Sequence, residues 1–259
     1  MTTSLDTEFE RHRSVLLGIG YRMLGSFADA EDVVQDAWIR WAGVDHATVE
    51  EPRSFLVTIV SRLAIDRMRL AHRRRETYIG PWLPEPVRTD REELGPADTA
   101  QQRDTLSVAT LRLMERLSAP ERAVFVLREA FELPYEEIAE VLNLTAAYAR
   151  QLHKRAGARL AADRERFAAD PVIHRDLVDL FVLAARTGDR DALQKLFAQD
   201  VPLWTDGGGK IRAALRPVRD ADRVTRFLGG VLGKYGEVDL TVIEVNGLAA
   251  MVMILGEYR

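Results

Sequence analysis

The stretch "GPWLPEPVRTDREELGPAD", residues 80–98, holds four prolines and two glycines. Proline removes a backbone donor and fixes φ, and glycine loosens the chain, so no long regular element crosses it. It divides the chain and makes residues 79–102 the expected linker. Trp82 and Leu83 stand out there, because a passive linker is polar.

Upstream, the periodicity is helical. In "YRMLGSFADAEDVVQDAWIRWA", Ala30, Val33, Val34, Ala37, Trp38 and Trp41 recur at helical spacing, with Glu31, Asp32, Gln35, Asp36 and Arg40 on the opposite face. Pro52 suits the first turn of the next helix, where its missing N–H costs nothing. That helix carries Phe55, Leu56, Ile59, Val60, Leu63, Ile65 and Met68 largely on one stripe.

Downstream, helical pattern resumes from Asp104 to about Phe167. Within it, Tyr135 to Leu142 reads as a short helix opened by Pro134. Asn143 tolerates the left-handed conformation that ends helices. Thr145 can then cap the next helix through its hydroxyl. In that helix Tyr148, Leu152, Ala156 and Leu160 are expected inward, and Arg150, Gln151, Lys154 and Arg155 outward. After Asp170-Pro171 the pattern turns mixed: two helices broken at Gly188, a strand-like "VPLWT", a helix over "DADRVTRFLGGVLGKY", and two strands joined by Asn246-Gly247, a strong hairpin signal. The expectation is an α+β region of helices on a curved sheet.

Charge separates the possible functions. The net charge is only −4, yet Arg62, Arg67, Arg69, Arg73, Arg74 and Arg75 face a single acid, Asp66. From Thr145 to Leu160, Arg150, Lys154, Arg155 and Arg159 face none. Local basic patches in an acidic chain are the footprint of a polyanion partner. A helix entering the major groove needs such donors, since arginine reads guanine and glutamine reads adenine in bidentate fashion. The alternative is a helical hairpin with a solvated basic face. The chain has no cysteine, which excludes disulfides, thiol catalysis and cysteine-based zinc sites and fits a reducing cytoplasm. No apolar run of about 18 residues exists, so no membrane span is expected, and no signal peptide is read at the N-terminus. No metal site or cofactor is expected.

"TDGGGK", Thr205 to Lys210, suggests a phosphate cradle, but that reading fails. A P-loop needs an earlier glycine, a Ser or Thr after the lysine and a following helix; here Ile211 follows. The glycines of Gly207, Gly208 and Gly209 read as a turn bracketed by Asp206 and Lys210.

"FADAEDVVQDAWIRW", "FLVTIVSRLAIDRMR" and "LSAPERAVFVLREAFELPYEEIAEVLN" with its following helix, in that order, resemble an extracytoplasmic-function sigma factor, a bacterial initiation subunit of RNA polymerase. The resemblance covers about two-thirds of the chain. It implies sigma region 2 over residues 1–78, a helical bundle, and region 4 over 103–169, a helix–turn–helix. It places the docking on the polymerase β′ clamp helices at Asp29, Asp32, Gln35 and Asp36, and implies the polymerase β flap as a further contact. It places −10 recognition on Ser61, Arg62, Asp66, Arg67, Arg69, Arg73 and Arg74, and −35 recognition on Thr145, Arg150, Gln151, Lys154 and Arg155. Arg62 departs from the family, many of whose members carry Asn there. "WLPEP" (Trp82, Leu83, Pro84, Glu85, Pro86) and "DGGGK" resemble signatures of a subgroup that carries a C-terminal SnoaL-like domain, a cystatin-like cone, over 172–259. In that subgroup the extra domain regulates the sigma regions in cis, so no separate anti-sigma factor is required. Such a domain usually needs roughly 110–140 residues, whereas about 85 follow His174, so an incomplete one is expected.

The implied function is promoter-directed initiation with core polymerase and promoter DNA in the cytoplasm. A one-component repressor or activator is the rival, but two separated DNA-reading segments are one more than it needs. An enzyme using the cone lacks a fitting acid/base pair: Asp206 and Lys210 are the nearby candidates and no histidine follows His174.

Overall fold

The computed structural model describes residues 2–75, 80–90, 105–167, 170–208, 210–235 and 239–254. They fall into two compact units, one of residues 1–76 and 84–168, the other of 77–83 and 169–259.

The first unit is helical. Helix α1 (Thr2–Leu24) packs on α2 (Phe27–Ala42) and α3 (Pro52–Arg75). Pro52 sits in the first turn of α3 as expected. The apolar faces read from the sequence are the buried ones: Ala30, Val33, Val34, Ala37 and Trp41 from α2 meet Leu16, Leu17, Tyr21, Leu56 and Val60. Helices α4 (Val108–Met114), α5 (Ala119–Glu129), α6 (Tyr135–Leu142) and α7 (Ala146–Phe167) continue the same core. Regions expected as separate domains thus pack together, α3 lying against both α5 and α6.

The turn between α6 and α7 follows its sequence chemistry. Asn143 adopts the left-handed conformation (φ 55°). The Thr145 hydroxyl accepts from the Tyr148 amide at 3.2 Å. One expected inward residue is not inward: Tyr148 is 42% exposed, and Ala149, Leu152, Ala156 and Leu160 form the buried stripe. Spacing 149–152–156–160 keeps one helical face, and 148 lies a residue off it.

The second unit is α+β. Helix α8 (Pro171–Thr187) starts at Asp170, whose carboxylate accepts from Val172 and Ile173 amides, and stops at Gly188. Helix α9 (Arg190–Lys195) follows. Strands β1 (Pro202–Leu203) and β2 (Val218–Arg219) pair antiparallel, helix α10 (Ala221–Tyr235) follows them, and β3 (Asp239–Val245) pairs antiparallel with β4 (Leu248–Ile254). Asn246 and Gly247 turn the hairpin with φ 53° and 78°, the mirror-image turn that matches strand twist. Instead of one curved sheet, the described strands make two separate two-stranded ladders. The "VPLWT" strand pairs over two residues only, and its Pro202 has no amide to give. Helix α8 packs on β4, and His174 Nε2 donates to the Ala249 carbonyl at 2.9 Å.

Candidate nucleic-acid interface

The outward face of α7 is the clearest candidate. Arg150, Gln151, Lys154 and Arg155 are all exposed on its first turns. The helix is held behind that face by a polar network. The Glu129 carboxylate can only accept, so His153 Nε2 donates to it at 2.9 Å, while Nδ1 meets the Tyr135 hydroxyl at 3.0 Å. The His153 ring stacks on Phe125, and Arg128 and Arg150 lie over the Tyr135 ring at 5.0 and 5.3 Å. Arg150 also pairs with Glu136 at 2.6 Å. Sequence reading missed Glu129, Tyr135 and His153. Their separations, 18 and 24 residues, follow no helical repeat, and only the closed turn brings them together.

Helix α5 braces the same region. Glu121 accepts from the Ser118 amide and hydroxyl at 2.9 and 2.7 Å and from Arg159 at 2.6 Å. Burial pushes its carboxyl up, but these bonds outweigh it and hold the group below the ordinary carboxylate range.

The expected −10 residues on α3 are divided. Ser61 is fully buried, with its hydroxyl unbonded. Arg62 donates from Nε to the Val141 carbonyl at 2.9 Å and from Nη2 to that of Glu140 at 3.3 Å. Asp66 pairs with exposed Arg69 at 3.4 Å. Arg67 turns to α2, reaching Asp29 at 2.8 Å and Asp32 at 2.5 Å. Burial lowers the Arg67 pKa, but its two carboxylate bonds outweigh that and hold it above the ordinary value. Arg73 and Arg74 lie in the last turn of α3, their side chains outside the described residues.

Thus two of the expected docking acids, Asp29 and Asp32, already share a cation, while Gln35 and Asp36 stay exposed on α2. The helix start is capped twice. Ser26 Oγ accepts from the Asp29 amide at 3.2 Å, and the Glu85 carboxylate accepts from the Phe27 amide at 2.8 Å and the Ser26 hydroxyl at 3.2 Å. Glu85 is further fixed by its amide on the Gly25 carbonyl at 2.8 Å and its carbonyl under the Tyr21 hydroxyl at 2.6 Å. A carboxylate at a helix N-terminus satisfies orphan amides and favours the dipole.

In the second unit, Asp206 joins the two signatures. Its Oδ2 accepts from the Leu83 amide at 2.8 Å, and its Oδ1 from the Gly208 amide at 2.8 Å. The Gly207 carbonyl accepts from both Lys210 and Ile211. A Cβ on Gly207 would lie 2.0 Å from the Ile211 carbonyl oxygen, so the close turn requires glycine there. Lys210 is exposed, and Gly209 lies outside the described residues. Trp82 and Leu83 are half-buried, Pro84 is buried, and Pro86 is exposed. Among the described residues no His, Asp or Glu cluster can hold a metal, and no helix is long and apolar enough to cross a membrane.

Residues 9–74 match the family model for Sigma-70 region 2, and residues 107–160 that for Sigma-70 region 4. The chain is 39% identical over 253 residues to the ECF RNA polymerase sigma factor SigJ of Mycobacterium tuberculosis, covering 97% of this chain and 80% of that one. SigI of the same organism is 34% identical over 184 residues, 70% of this chain and 63% of its own. The crystal structure of M. tuberculosis SigJ superposes with a TM-score of 0.74 at 36% identity, covering 95% of this chain and 83% of that one.

Proposed function

Because the chain belongs to the extracytoplasmic-function RNA polymerase sigma factors, we propose that it directs core polymerase to promoters by reading two elements. Region 2 (residues 1–78) meets the −10 element through α3, and region 4 (103–169) the −35 element through α7. Residues 79–102 link the two regions. The observation that carries this is the α6–α7 helix–turn–helix, whose second helix presents Arg150, Gln151, Lys154 and Arg155 outward while His153 and Ala149 fix its back. Asp29, Asp32, Gln35 and Asp36 on α2 meet the clamp helices of the polymerase β′ subunit, and the β flap is a further contact of the chain on the core enzyme.

The C-terminal SnoaL-like unit (172–259) regulates these steps in cis, without a separate anti-sigma factor. Supporting this, Leu83 is held by Asp206 within the C-terminal unit, while Glu85, two residues on, caps the acidic helix α2 within the sigma unit. The motif "WLPEP" therefore belongs to both units at once through the chain itself.

Run-off transcription tests the reading. Purified core enzyme plus this chain should give promoter-dependent transcripts, and the chain alone should bind the duplex weakly. Transcripts absent on every promoter drawn from related regulons, or tight operator binding without core enzyme, would overturn it. Asp206→Ala should change transcript yield while leaving the fold intact; equal yields would remove the regulatory part.

A further inference from the structure

The bonds of Arg62 give it a role that its expected place at the −10 element does not. Its guanidinium reaches from α3 to the last turn of α6, bonding the carbonyls of Val141 and Glu140. The last carbonyls of a helix have no intrahelical partner, and a cation beside them is favoured by the helix dipole. Arg62 is therefore a side-chain cap on the first helix of the helix–turn–helix, its acceptors lying two and three residues before Asn143, whose amide shares the Glu140 carbonyl at 3.3 Å. The fork formed by Nε and Nη2 is engaged and is not available for a bidentate base contact.

A length argument gives this contact a consequence, and it rests on the promoter reading above. Elements centred at −10 and −35 lie about 25 base pairs apart, or about 85 Å of duplex at about 3.4 Å per pair. A compact body the size of the first unit has a radius of gyration of about 15 Å and is about 40 Å across. The arrangement in which α3 touches α5 and α6 cannot present both readers to both elements.

The packing of α1 against the region 4 residues is also unusual. Arg22 of α1 is 3% exposed, donates to the buried Thr105 hydroxyl at 3.1 Å, and lies over the Phe131 ring at 5.4 Å. Arg122 of α5, also buried, donates to the Arg22 backbone carbonyl at 3.0 Å. Burial pushes the Arg22 pKa down to about 10, so the group stays charged at neutral pH. Opening this packing returns two guanidinium groups to water, which offsets part of the apolar surface lost.

We propose that Arg62 is a latch: it holds regions 2 and 4 closed in the free chain, and its release from α6 accompanies the separation needed for two-element promoter contact. Because it is exposed, it can exchange partners without passing through a buried state.

The chain has no cysteine, so Arg53→Cys on α3 and Ala158→Cys on α7, both at exposed positions, give two unique sites for spin labels. Distances between them in the free chain should form one short, narrow population. Arg62→Ala should raise a longer population several-fold, with Arg62→Lys, a single-point donor, falling between. Adding core polymerase should bring all three chains to the long distance. Superimposable distributions for the parent and Arg62→Ala free chains would overturn the latch, as would a parent already open. Far-UV circular dichroism should be equal for both; should the Arg62→Ala signal fall, the Arg62→Lys comparison decides by the same criteria. This measurement needs no promoter, so its failure leaves the transcription result standing, and the converse holds too.

Discussion

At the scale of single residues, two neighbouring glycines separate two kinds of constraint. Gly208 has φ 58° with open space around it, so Gly208→Ala should cost about 1–2 kcal/mol, the penalty of a left-handed L-residue. Gly207→Ala should cost more, because its Cβ collides with backbone rather than with a flexible side-chain end. Urea denaturation of the two variants gives the order, and equal midpoints would contradict the collision. The turn itself was legible in "TDGGGK", since Ile211 after the lysine removes the phosphate reading. The partner of Asp206 was not legible from local pattern. It is a backbone amide 123 residues away, and no periodicity connects them. Arg62 shows the same limit. An arginine in a basic run reads as a nucleic-acid contact, and only the packed helices show it bonded to carbonyls 78 and 79 residues on.

At the scale of elements, local chemistry was the better guide. Pro52, Asn143, Thr145, Gly188 and Asn246-Gly247 each end or begin an element where their backbone preferences demand. Tyr148 was misread because one helical position rotates a side chain by about 100°, enough to move it from core to surface. The start of α5 gives a pH prediction. Glu121 has a depressed folded-state pKa, so its stabilisation is fully present above the unfolded value and is lost as pH falls through the folded one. Glu121→Gln should therefore lower stability at neutral pH by about 1 kcal/mol, a typical cap contribution. It should also flatten the decline in acid. Thermal melts between pH 3 and 7 check both, and parallel curves for parent and variant would refute the assignment. At the start of α2, Glu85→Ala should loosen the first turn, which amide exchange at Phe27 would report as lost protection.

At the scale of the molecule, the contiguous core from Phe9 to Leu160 lies within the first unit. A chain ending at Asp170 should therefore unfold in one cooperative transition by circular dichroism, and a gradual melt would show that the core needs the C-terminal unit. In the assembled initiation complex, Lys154→Ala should weaken −35-dependent transcription and reduce the dependence on log salt by about 0.9, the loss of one phosphate contact. An unchanged salt slope would place the contact elsewhere. The final consequence comes from Arg67, which bridges Asp29 and Asp32 across two helices. An anion that draws Arg67 away leaves two bare carboxylates on α2. A cationic surface that takes those carboxylates sets the guanidinium loose. Each event makes the other easier by the same factor, whichever comes first, so one arginine turns an acidic face and a basic face into the two ends of a single exchange reaction.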